Sequence, residues 1–203
     1  MGAAGTVGAA QERLDGWFVR NAKSLRDAFR VGFGIIWLID GALKFAPGFV
    51  DTFAGSVSGA GQPAWLGPWF AFWASQVNAD PAFWVYFTGS LELLLGLALV
   101  FGFVRKLAYT GGALLSFFIW AVPEGFGGPY GPGSTDIGTG IVYAGVFIGL
   151  MILDASFGRA PYSLDALLER RFPSWARVAE IKGFYRGGPG APSGTEAPSD
   201  GIA

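Results

Sequence analysis

Glu92 lies in a strongly apolar tract, 11 residues after Pro81. On a helix that is roughly 16 Å from the start, near the middle of a bilayer. An ionised acid there costs roughly 2.5 to 3.5 kcal/mol or more, so it is expected to be protonated or hydrogen-bonded to a neighbouring helix. Two roles suit it: a proton donor and acceptor beside a buried ligand, or a carboxyl that ties helices together. Asp40 and Lys44 are four apart with the acid first, a spacing that lets them meet on one helical face. Lys44 could hold an anionic substrate or donate to a quinone carbonyl; its structural alternatives are an ion pair or a snorkelling side chain.

The third group is a sixteen-residue stretch from Pro123 to Gly138, with five glycines before Ser134 and three prolines. Glu124, Tyr130, Ser134, Thr135 and Asp136 supply most of its side-chain polarity. Such a loop can fold back between helices and expose backbone N–H groups beside the positive end of the following helix, an arrangement suited to anions. Asp136, if ionised, opposes an anion there. The loop reads as a functional lid or as a flexible connector.

The elements that must carry these residues follow from where the charge falls. Thirteen of the fourteen Lys and Arg residues lie in Arg13 to Arg30, Arg105-Lys106 and Arg159 to Arg186, and Lys44 is the other. The tracts between them are apolar and long enough to cross a bilayer and return. By the positive-inside rule the basic patches mark the cytoplasmic side, with both termini inside. The expected fold is all-α: a polytopic plasma-membrane protein built as a bundle of four transmembrane helices, N-in and C-in, with short outer interfacial helices. The spans are expected at about 29–46, 81–104, 107–122 and 137–153. Asp80-Pro81 opens the second, and Ser134, Thr135 or Asp136 caps the fourth. Residues 1–26 read as a disordered start followed by an amphipathic helix from Gln11 to Asp27, and 27–156 as the membrane domain. A cytoplasmic amphipathic segment over 157–185, interrupted at Pro173, and a disordered tail over 186–203 complete the chain. Aromatic residues from Phe49 to Tyr86 predict one or two short helices in the outer headgroup region. Gly32, Gly34, Gly111, Gly112, Gly138, Gly140, Gly145 and Gly149 permit close helix contact.

At 203 residues, with 52% hydrophobic and 14% charged, the chain is too apolar for an ordinary soluble domain. Cysteine and histidine are absent, which removes thiol redox chemistry, thiolate or imidazole metal sites and His-ligated haem. No metal or haem is expected from this chain, and any redox role needs a bound organic molecule or a partner's cofactor. Met1 to Ala10 lacks a signal peptide's basic start and apolar core, so the first membrane helix is expected to remain as an anchor. Nucleic-acid binding has no support. The cytoplasmic helices suit anionic membrane lipid or a protein partner.

A first span ending in GALKF (Gly41 to Phe45), an aromatic outer segment and a second span reading LELLLGLALVFGFVRK (Leu91 to Lys106) resemble the DoxX and DoxD-like family. The third and fourth spans, joined by a Gly-rich loop, continue the similarity, which covers roughly residues 27–155. Its better motifs are Gly-Ala-x-Lys and the Glu-x-x-x-Gly of the second helix. The resemblance implies a four-helix bundle and, for the DoxD branch, a subunit of thiosulfate:quinone oxidoreductase. That enzyme oxidises thiosulfate to tetrathionate and passes two electrons to membrane quinone, with a small DoxA partner. Lys44 and Glu92 occupy the matching motifs. The alternatives are a non-catalytic membrane scaffold for a redox or stress-response partner and a small-anion carrier. The sequence leaves the oligomeric state open.

Overall fold

The computed structural model describes residues 3–57, 62–129, 137–158 and 160–181, and they are all-helical, with no strand among them. Helix α1 spans Ala3–Leu43, and α2 (Phe49–Ser56) and α3 (Gly67–Ala79) fill the connection to α4 (Pro81–Phe101). Helix α5 (Arg105–Ala121) follows directly, then α6 (Thr139–Phe157), α7 (Leu164–Arg171) and α8 (Ala176–Ala179). Two of them, α4 and α6, are long and apolar enough to cross a membrane.

Helix α1 departs from the expected division of the N-terminal region. It is one continuous helix of 41 residues, about 61 Å long, with no break between the amphipathic segment and the apolar one. The expected disordered start is helical from Ala3 onward. Alanine is the best helix former, and no proline interrupts the chain before Pro47, so nothing local ends the helix earlier.

Other boundaries shift for identifiable reasons. Asp80 caps α4 as expected, its carboxylate accepting from the Phe83 N–H at 2.9 Å. Helix α4 stops at Phe101, short of 104, because Gly102 takes the left-handed conformation (φ 62°) that ends helices. Helix α5 begins at Arg105, earlier than expected, and α6 runs to Phe157, four residues beyond the expected end. The segment after α6 breaks at Pro173, as expected, where a 3₁₀ turn over Pro173–Trp175 separates α7 from α8. Ser163 caps α7 by accepting from Ala166 N–H.

Glycines set how closely α1 and α4 approach. A Cβ added at Gly34 would lie 2.9 Å from Leu99 Cβ, one at Gly41 2.9 Å from Leu93 N, and one at Gly96 2.8 Å from Leu38 Cγ. These pairs run in opposite directions along the two helices, so α1 and α4 are antiparallel. Gly112 under Phe147 and Gly140 beside Trp120 do the same for α5 and α6. By contrast Gly32, Gly111, Gly145 and Gly149 meet nothing within 4 Å and do not serve as contact points. Phe33 and Trp37 of α1, Leu95 and Leu99 of α4, Tyr109 of α5 and Phe147 of α6 form one buried core. The outward faces carry exposed Ile39, Leu94, Leu114 and Ile152.

Candidate functional site

At one end of this core, four of the sequence-derived candidates line a single cavity of about 440 Å³: Asp40, Lys44, Glu92 and Glu124. The close α1–α4 seam brings the first three together. Gly89 and Gly41 let the turn after α1 settle on α4, which seats Lys44 Nζ 2.6 Å from Glu92 Oε2. Glu92 is almost fully buried and Lys44 is 15% exposed. The Lys44 ammonium also lies 5.6 Å from the Phe49 ring centroid.

This arrangement differs from the expected Asp40–Lys44 contact. Helix α1 ends at Leu43 and Lys44 sits in the following turn, so the four-residue helical register that would aim it at Asp40 is lost. Asp40 lies instead on the cavity wall it shares with Tyr143 of α6. Glu124 reaches across to α6, where its Oε2 accepts from Gly140 N–H at 2.9 Å. The chain's own carboxylate therefore occupies the helix N-terminus that the sequence offered to an external anion. Gly138 precedes α6 without a side-chain cap, so Glu124 takes over the capping expected from Ser134, Thr135 or Asp136.

The described part of the Gly-rich connection does fold back. Phe126 packs on Trp120 and Trp69, with ring centroids 5.1 and 6.0 Å apart, and Gln62 donates to Gly125 O at 2.7 Å. Tyr130, Ser134, Thr135 and Asp136 lie outside the described residues.

The cavity residues that escaped the sequence reading include Trp37, Ser116 and Tyr143. Trp37 Nε1 and Ser116 Oγ are buried with no hydrogen-bond partner among the described residues. Leaving such groups without partners costs about 1–3 kcal/mol each, and a small turn of either side chain toward the cavity would let a ligand with acceptor oxygens satisfy them. In ionised form the cavity holds three carboxylates against one ammonium, itself already paired. That balance favours a neutral ligand with acceptor oxygens, or a cation, over a dianion.

A second buried polar cluster occupies the other end of the helices. Arg26 Nη1 lies 3.2 Å from Asp154 Oδ1, and Arg105 Nε lies 3.4 Å from Asp154 Oδ2. Arg30 donates to the carbonyls of Leu99, Val100 and Tyr162. Asp165 accepts from Val104 and Arg105 N–H at 2.8 and 3.0 Å and from Trp175 Nε1 at 2.8 Å, which fastens α7 beneath the α4–α5 turn. These residues read in sequence as a solvated basic surface, yet Arg26, Arg30 and Arg105 are buried. Their signal was the Asp154 at the end of an apolar helix, a charge in need of a partner.

Among the described residues no group of three or more acidic side chains is placed to hold a metal. Comparison with family models, with curated proteins and with solved structures gives no match.

Proposed function

We propose that this chain is a DoxD-like membrane subunit of a quinone-linked oxidoreductase, in which the Lys44–Glu92 cavity takes a quinone head. In this reading α1, α4, α5 and α6 cross the plasma membrane as a four-helix bundle with both ends cytoplasmic, and α2 and α3 lie at the outer surface. Support comes from the apolar side chains exposed on all four helices and from the placing of Arg26, Arg30 and Arg105 at one end of them.

The observation that carries the quinone reading is the cavity wall itself. It sets a buried ion pair at 2.6 Å beside two unpartnered groups, Trp37 Nε1 and Ser116 Oγ. A quinone presents two carbonyl oxygens on a flat ring, and these accept from the indole, the hydroxyl or the Lys44 ammonium. Reduction to quinol takes up two electrons and two protons. Glu92 takes up a proton by way of Asp40 and Tyr143, which line the same cavity, passes it to a quinone oxygen and repeats the cycle for the second, while Lys44 offsets the negative charge that develops.

The electrons come from two thiosulfate ions, whose sulfurs join as tetrathionate. A dianion is poorly matched to three carboxylates, so thiosulfate oxidation falls to a DoxA-like partner or to the outer face of the complex. A scaffold reading has one observation in its favour: Asp165 and Trp175 hold the segment after α6 as a fixed platform for a partner.

Thiosulfate-driven quinone reduction in native-cell membranes separates the two. Deletion of the chain should abolish it, and Glu92→Gln should lower it at least about tenfold at normal abundance, within the range typical of a lost acid–base group. Equal rates in all three strains would replace the enzymatic reading with the scaffold.

A further inference from the structure

The polar cavity is the outer member of a row of four. It shares Lys44, Phe49, Ile119 and Glu124 with an apolar cavity of about 180 Å³. That one shares Trp73, Trp84, Thr88 and Phe118 with a third of about 240 Å³. The third shares Leu91 and Leu115 with a long groove between α4 and α5 that holds about 810 Å³. The groove's wall is almost wholly carbon. It follows α4 from Leu91 to Phe101, about 15 Å at the helical rise, and ends near Leu164 of α7.

Between the cavities stands an aromatic trio, with Trp73 set edge-on to Trp84 at 5.9 Å and to Phe118 at 5.0 Å. Trp73 Nε1 is buried there without a partner among the described residues, a donor along an otherwise apolar route.

We propose that the α4–α5 groove is the tail site of a membrane amphiphile whose compact polar head enters the Lys44–Glu92 cavity past Trp73. The inference rests on the proposed quinone reading for the identity of the head and adds the chain that the head carries. A head with no tail leaves the groove unexplained, and a packed helix from a second copy would cover the groove without reaching between Trp73, Trp84 and Phe118. An amphiphile with one long, flexible apolar chain matches the whole row. The trio then acts as a lateral gate for a flat head arriving from lipid.

The test uses the full chain in lipid nanodiscs and a benzoquinone probe bearing a photoreactive group at the end of a long apolar tail. The probe should label the groove segments around Leu97, Leu107 and Gly111 at least about fivefold more than the Ile35, Ile36 and Ile39 face of α1, and excess unlabelled long-tailed quinone should remove the difference. A Cβ at Gly111 meets open space, so Gly111→Phe fills the groove without disturbing the helix pair and adds no tryptophan. It should cut groove labelling at least about tenfold, through lost tail contacts, while quenching of tryptophan fluorescence by a tail-less quinone stays as in the native chain.

Even labelling of both faces, or equal groove labelling by a photoreactive hydrocarbon with no head, would overturn the proposal in favour of bulk lipid. Crosslinks between two chains at the groove, abolished by Gly111→Phe, would overturn it in favour of a second copy. Selective labelling without thiosulfate-driven turnover would sustain the tail site and sink the enzymatic reading. Turnover without selective labelling would do the reverse.

Discussion

Removing the Lys44 ammonium should destabilise the protein far more than removing the Glu92 carboxylate, and removing both should recover most of the loss. At 2.6 Å and an effective dielectric of about 20, the attraction is on the order of 6 kcal/mol before desolvation. Lys44→Met strands a carboxyl whose side chain is 2% exposed, and a buried pair broken in this way typically costs about 3–5 kcal/mol. Glu92→Gln strands an ammonium that is 15% exposed and can turn outward on its flexible stem, which holds its cost to about 1–2 kcal/mol. The double variant carries neither charge, so the coupling should be at least about 2 kcal/mol. Unfolding of the four proteins in mixed detergent micelles, followed by tryptophan fluorescence, gives all the terms. Equal single effects that simply add in the double variant would refute the buried-pair reasoning.

Further predictions concern the seam, the cavity wall and the second polar cluster. Gly41→Ala puts a methyl 2.9 Å from Leu93 N and should destabilise by about 1–3 kcal/mol, whereas Gly32→Ala meets open space and should stabilise by up to about 1 kcal/mol; opposite signs in thermal unfolding check this. Ser116→Ala removes a buried unpartnered hydroxyl and should raise stability by about 1 kcal/mol without ligand while weakening quinone binding, so a variant that gains stability and binds normally would contradict its role. Asp165→Ala removes three accepted hydrogen bonds and leaves Arg105 with one fewer carboxylate. It should cost about 3 kcal/mol and release the segment after α6 to limited proteolysis, with unchanged cleavage as the contrary result.

Asp40, Lys44, Glu92 and Glu124 were legible in the sequence because charge is rare in apolar tracts and each instance needs a reason. Their partners were harder to read. Trp37 and Ser116 look like packing residues on a helix, and only the three-dimensional count of hydrogen bonds shows that their polar atoms have no partner. Lys44 was assigned to Asp40 because helical spacing extends one residue too far past Leu43. The Arg26–Arg105–Asp154 cluster was hidden for a different reason. Arginines at helix ends normally signal a solvated cytoplasmic face, and nothing local reveals that Asp154 and Asp165, more than a hundred residues from Arg26, return to bury them. Helix types and most boundaries followed from proline, glycine and capping residues. The continuity of α1 did not, because its start, made of small uncharged residues, reads as disordered.

In the proposed reading, the Lys44–Glu92 cavity binds a quinone head. The most direct measurement is a titration of the purified full chain with quinone, read by quenching of its tryptophan fluorescence and compared with Ser116→Ala. Quenching should be saturable in the native chain, with a midpoint shifted upward about tenfold in the variant, the equivalent of one lost hydrogen bond. Linear, unsaturable quenching, identical in both proteins, would contradict it.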